Sequence, residues 1–260
     1  MRVFDAQLAI GARSDDDLAN LAYFDTAGAL LIGDTTRRAE GVEALNKGLE
    51  ALVRGVRRAR SFGILAGVAL GVHPDVAPER AHDAVWDTLE ALAGDTRVWA
   101  IGVLARDGTR AADRLCEAHL GLAADASLPI LADVAGPGAR EDAEWFLDAA
   151  RARGIPPERV VLRGVDYTTL RLVVQGGARA LLAVGPAGAT PEETAELLVR
   201  FGEGALRAAL LTSAARGSAL DVLALPRVGR ALADAGVAQK DVGRVLYENA
   251  ADVFVRTESP

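Results

Sequence analysis

The chain is predicted to fold as a single (β/α)8 barrel, a TIM barrel of the α/β class that takes in all of residues 1–260. Three observations carry the prediction. The length of 260 residues lies near that of a one-domain barrel, and 50% of them are hydrophobic, enough to bury a large core. Short apolar runs alternate with longer helical patterns from end to end, the order that builds a parallel sheet from β-α units. The runs are close to continuously apolar, as strands covered on both faces must be.

Taken in order, strands are read in RVFDAQLAI (2–10), GALLIGDT (28–35), FGILAGVALGVH (62–73), RVWAIGVLA (97–105), LPILADVA (128–135), RVVLRGV (159–165), ARALLAVGP (178–186) and RAALLTSA (207–214). The segments between them read as helices. Over 110–126, Ala111, Leu115, Ala118, Leu122 and Ala126 recur every three or four residues, so one stripe faces the sheet while Arg110, Asp113, Arg114 and Glu117 face water. Thr190, Pro191 and Glu193 make a helix start, with a cap, a first-turn proline and the far half of a capping box. Segments 135–138 and 185–188 are rich in glycine and proline, follow strands, and are read as loops on the barrel's C-terminal rim. The triplet Asp15, Asp16 and Asp17 is a solvated helix start, because the glycine and distal glutamate of a calcium loop are missing.

Composition narrows the function. A net charge of -7 argues against a broad footprint for nucleic acid or anionic lipid. The single cysteine, Cys116, excludes an internal disulfide and a cysteine-built zinc site and points to a reducing cytoplasm. The first ten residues lack a signal-peptide pattern and no apolar run reaches membrane length, so the expectation is a soluble, unprocessed, cytoplasmic protein without membrane insertion.

Barrels of this kind carry their chemistry at the C-terminal strand ends. That rim offers Gln7 and Ala9 on the first strand, Asp34 and Thr35 on the second, and His73 on the third. Val103 lies on the fourth with Arg106 and Asp107 beyond it, Asp133 on the fifth, Arg163 and Gly164 on the sixth. Gly185 ends the seventh, and Thr212, Ser213 and Ala214 the eighth. A hydrolytic metal centre needs several His, Asp or Glu ligands converging on one ion, and this rim is poor in them. His82 and His119 fall inside helical patterns, where an exposed or half-buried structural role is expected, leaving His73, Asp133, Asp34 and Asp5 as candidates. Ser213 has no nucleophile elbow and no neighbouring histidine, and is read as a rim serine bonding to loop backbone. Cys116, mid-helix, is read as packing, and no glycine-rich run has the spacing of a dinucleotide site. Arg106, Arg163 and Arg216 follow strands four, six and eight, where guanidinium forks suit carboxylate or phosphate.

Several segments, in order and at barrel spacing, resemble one family. FDAQLA is similar to the FDAHIH opening of the TatD-related metal-dependent hydrolases of the amidohydrolase type, GVALGVHP to their third-strand signature, and AIGVLARD to their AIGEIGLE. ADASLPILADVA, PPERVVLRGVD, AVGPAGATPEE, SALDVLALPRV and VLYENAADVF continue the match to the end of the chain. The resemblance implies metal ligands at Gln7, Ala9, Val103, Asp133, Gly164 and Ala214, where the family has histidines, a glutamate and an aspartate. Of these only Asp133 could ligate a metal well. The family's loop lysine falls on Gly188, and His73 is kept but is not one of the ligands. Once the cation is gone, clustered carboxylates and imidazoles would repel one another or lie desolvated, so their replacement by small and apolar residues is physically coherent.

The reading placed first is therefore a catalytically inactive hydrolase-like barrel without metal or other cofactor, acting as a scaffold, a regulatory subunit or a partner of another protein or of its own copies. The second is a binding protein for small anionic metabolites in the vacated pocket, with His73, Asp133, Arg106 and Arg216 as polar contacts. The third is a metal-dependent hydrolase of phosphodiesterase or nuclease type with a site rebuilt from His73, Asp133 and Asp34. Trp86, Trp99 and Trp145 are read as barrel packing.

Overall fold

A computed structural model describes residues 1–33, 39–75, 82–186, 188–213 and 220–256. Eight parallel strands stand in sequence order in one sheet: β1 (Val3–Ala9), β2 (Thr26–Ile32), β3 (Leu65–Leu70), β4 (Val98–Ala105), β5 (Ile130–Asp133), β6 (Val160–Arg163), β7 (Arg179–Ala183) and β8 (Ala209–Thr212). Between and after them come α1 (Asp15–Tyr23), α2 (Val42–Ser61), α3 (His82–Ala93), α4 (Arg110–Asp125), α5 (Ala139–Ala152), α6 (Tyr167–Gln175), α7 (Pro191–Phe201), α8 (Glu203–Ala208) and α9 (Ala224–Asp234). The chain closes on α10 (Gln239–Gly243), a wide helical turn at Arg244–Glu248, and α11 (Asn249–Phe254). Each strand overlaps the segment in which the apolar runs place one, and the whole is a (β/α)8 barrel.

The two-residue pleat sorts each strand into two cores. Leu8, Leu31, Val68, Leu70, Ile101 and Leu162 pack with helix residues such as Leu18, Val56 and Leu120 in the outer layer. Their neighbours Leu30, Ala69, Leu131, Val161, Leu181 and Leu210 fill the barrel's interior. Both faces are dry, which is why the strands read as almost unbroken apolar runs.

The N-terminal end of the barrel is plugged. Phe4 and Trp99 lie inside it, and two glycines make the room: a Cβ at Gly28 would meet the Phe4 ring at 2.4 Å, and one at Gly67 the Trp99 ring at 2.0 Å. Phe254 of α11 stacks on Phe4 at 6.3 Å and Tyr247 meets its edge at 6.0 Å. The Asn249 amide donates to the carbonyls of Leu206 and Ala209, tying the last helix to the start of β8. Polar chemistry is left to the opposite end.

The helix starts follow their local signals. Ser14 and Asp17 form a capping box at α1, which accounts for the acidic triplet, and Thr190 and Glu193 form another at α7. Thr109 caps α4, which ends one residue before the predicted limit. Between β8 and β1 side chains bridge the seam: the Thr212 hydroxyl donates to the Gln7 carbonyl at 2.8 Å, and the Ser213 amide donates to the Asp5 carboxylate at 3.3 Å.

Candidate functional site

The C-terminal mouth is built one strand at a time, beginning with an irregularity in β1. Asp5 pairs with Ala29 and Leu8 with Leu31, so three steps of β1 run against two of β2. Such a bulge re-aims the side chains beyond it. Leu8 belongs to the outer layer, and Ala9 packs in the interior with Ile32 and Val103. Gln7 is 2% exposed, and its Nε2 has no hydrogen-bond partner among the described residues.

Asp5, just before the irregular stretch, is fully buried against the β8 end. The Ser213 hydroxyl and amide both donate to it, and the Gln7 amide donates at 3.2 Å. Burial pushes its pKa above the ordinary 3.8, and the hydrogen bonds from Ser213, Thr212 and Gln7 only partly oppose that. Ser213 therefore serves a buried carboxyl group rather than the loop backbone expected for it. Because the folded state holds this proton more tightly than the unfolded chain, the stabilisation is complete below the ordinary carboxylate range and is lost as pH rises through the folded pKa. An Asp5→Asn variant should lack that descending stretch. Denaturant titrations of both proteins between about pH 4 and pH 7 read it directly, and parallel stability curves would refute the assignment.

β5 and β6 place the next pair. Leu131 and Val161 face the interior, so the two-residue period brings Asp133 and Arg163 onto the same face one step nearer the mouth. They are ladder partners, and the Arg163 guanidinium lies 3.1 Å from the Asp133 carboxylate. The second carboxylate oxygen accepts the Ala135 amide at 3.2 Å. Asp133 is 5% and Arg163 9% exposed, so this is a buried ion pair at the barrel opening.

The other predicted positions have surroundings of their own. Val103 is 4% exposed and packs in the interior cluster. Gly164 sits immediately beyond β6 with φ +74, and a Cβ there would lie 2.6 Å from the Ala135 Cβ and 2.9 Å from the Ala135 backbone nitrogen. At Gly188 a Cβ would lie 2.0 Å from the Ala183 carbonyl oxygen. His73 is buried but stands beyond the ladder of β3, which ends at Leu70; its Nδ1 accepts the Asp75 amide at 3.2 Å. Arg106 is held by two carboxylates, Asp113 and Asp142, each at 2.8 Å, and its guanidinium lies over the Trp145 ring, so it fastens α4 to α5. Asp34, Thr35, Ala214 and Arg216 lie outside the described residues, as does the His82 side chain.

His119 corrects an expectation. It is fully buried, not exposed or half-buried: Nε2 accepts the Val72 amide at 3.1 Å, and Nδ1 meets the Leu115 carbonyl at 2.7 Å. That geometry fixes the Nδ1-protonated neutral tautomer, and desolvation lowers its pKa to about 4. The ring is a strut beneath the segment that carries His73. Cys116 is packing, as read: its thiol meets the Ala105 carbonyl at 3.2 Å and burial pushes it up to about 12.

This donor set does not fit the divalent metal that the resemblance implies. Among the described residues no three His, Cys, Asp or Glu side chains gather, and Asp133, the one candidate with ligand chemistry, already faces a guanidinium. Sequence reasoning placed Arg163 on the rim but not on Asp133, and missed the Asp5–Ser213 contact. The parity rule held the signal for the first, since Asp133 and Arg163 occupy equivalent places two residues after interior Leu131 and Val161. The second needs the closure of the first strand on the last, which no local pattern encodes.

No protein-family model matches the chain, and no curated protein matches it. Solved structures do. A TatD-like protein from Archaeoglobus fulgidus superposes with a TM-score of 0.75 at 17% identity, covering 96% of this chain and 98% of the other. A β-aspartyl dipeptidase from Fervidobacterium islandicum gives 0.72 at 14% identity over 97% and 72% of the two chains. A phosphotriesterase from Mycobacterium tuberculosis gives 0.61 at 14% over 97% and 93%. At these identities the likeness is one of fold, the (β/α)8 barrel that these proteins and this chain share.

Proposed function

We propose that this barrel keeps a hydrolase fold without metal-dependent hydrolysis, and that it acts by association, as a scaffold or regulatory subunit. The observation that carries the reading is the ion pair between Arg163 and Asp133 at the mouth. A divalent ion bound by Asp133 would have to share a buried carboxylate that already faces a fixed positive charge at 3.1 Å, and in a desolvated site the two cations would repel each other across that one group. The guanidinium is in this sense the cation of the site. It is the counter-charge that Asp133 faces, and it offers no exchangeable water to activate.

Two further positions support the reading. Gly164 and Gly188 stand where the resemblance puts a histidine and a lysine, and at each the backbone leaves no room for a Cβ. The departures therefore extend beyond side-chain identity to the path of the main chain. Protein purified after growth with added Zn, Mn, Fe, Ni and Mg should carry well under one equivalent of any of them by elemental analysis. A stoichiometric metal, lost on Asp133→Ala substitution, would overturn the proposal.

A further inference from the structure

On the outside of the barrel, α7 and α9 border a groove of about 700 Å³. Each helix turns one stripe to it. Glu192, Ala195, Glu196, Val199 and Arg200 recur every three or four residues along α7, and Arg227, Arg230, Ala231 and Asp234 do so along α9. Ala195 and Ala231 make a narrow apolar floor, and the charged side chains stand exposed along its banks.

The order of charges on the two banks is complementary. Both helices follow strands of one parallel barrel and so run in the same direction. Along that direction α7 presents acid, acid, base at Glu192, Glu196 and Arg200, while α9 presents base, base, acid at Arg227, Arg230 and Asp234. Yet among the described residues no ion pair crosses the groove. Arg227 reaches back to Asp221 at 3.4 Å, Arg230 turns to Asp234 at 3.6 Å, and Arg200 lies over the Tyr167 ring at 4.8 Å. Each of these arginines finds its partner on its own side of the groove.

We propose that this face is an isologous interface between two copies of the chain. A two-fold axis running along the groove, parallel to the helices, lays α7 of one copy over α9 of the other in the same direction. Glu192 then meets Arg227, Glu196 meets Arg230 and Arg200 meets Asp234 of the second copy, and the symmetry repeats the set. Val199, an apolar side chain 41% exposed, lines the same groove and gains cover from the arrangement. The result is a four-helix layer with an alanine floor and a charged rim, in which the charges set register and the small residues permit close approach. The inference does not rest on the reading of the mouth, and the two fail separately: one through bound metal, the other through molecular mass.

Reciprocal charge reversal tests it. In analytical ultracentrifugation the wild-type chain should sediment as a dimer at low salt and dissociate as added salt screens the rim. A variant with Glu192→Arg and Glu196→Arg, and another with Arg227→Glu and Arg230→Glu, should each be monomeric with an unchanged far-UV circular dichroism spectrum, since all four positions are exposed. Mixed in equal amounts, the two variants should form a dimer containing one of each, read by native mass spectrometry. A monomeric wild type at low salt overturns the proposal, as does a dimer that survives either reversal or a mixture that stays monomeric.

Discussion

Replacing Arg163 with alanine should destabilise the barrel by about 3–5 kcal/mol, the cost of leaving a buried carboxylate without its counter-charge. Asp133 and Arg163 are each less than a tenth exposed, so solvent does little to screen the loss. The Ala135 amide, which donates to Asp133 at 3.2 Å, replaces only a fraction of the interaction. Breaking the pair differs from removing it. A double variant, Asp133→Leu with Arg163→Met, takes away both charges and fills the space, and should recover most of the stability, because a buried pair seldom outweighs its own desolvation by much. Urea titrations read both quantities as shifts in midpoint at constant slope. A loss under about 1 kcal/mol for Arg163→Ala would place the pair in solvent-like surroundings, and the electrostatic argument against a metal at Asp133 would fall with it.

The barrel itself was legible because its grammar is local. Eight apolar runs, helix starts at the Asp15–Asp17 triplet and at Thr190, and rim loops at glycine and proline each reflect forces between residues close in sequence. The site was legible only in part. Position along a strand fixes height in the barrel, so Gln7, Ala9, Val103 and Asp133 could be placed at the mouth by counting from the turn. Which neighbour each one meets is a matter of shear between strands, and that is not local. The Asp133–Arg163 pair depends on the register of β5 against β6, and the contact of Ser213 with Asp5 depends on the last strand arriving beside the first. His119 shows the same limit from the helical side. Its pattern marks it as structural, but only the backbone of Val72, brought over from β3, explains why an imidazole can be fully buried there at no hydrogen-bonding loss.

Placing at Gly164 the histidine that the resemblance puts there should fail at the first carbon of the side chain. With φ +74 any residue other than glycine adopts a left-handed conformation, and in this place a Cβ also comes within 2.6 Å of the Ala135 Cβ and 2.9 Å of its backbone nitrogen. Strain and overlap together should cost on the order of 3 kcal/mol or more. Since the conflict begins at Cβ, Gly164→Ala should lose nearly as much as Gly164→His. Gly108 provides the control: its φ is +80 but a Cβ there would meet no atom within 4 Å, so Gly108→Ala should show the conformational penalty alone, about 1–2 kcal/mol. The difference between the two alanine variants isolates crowding against segment 133–135, which also carries the Asp133 carboxylate. If Gly164→Ala is no worse than Gly108→Ala, the main chain after β6 has room for a larger residue after all, and the departure from the resembled pattern at this position is one of side chain alone.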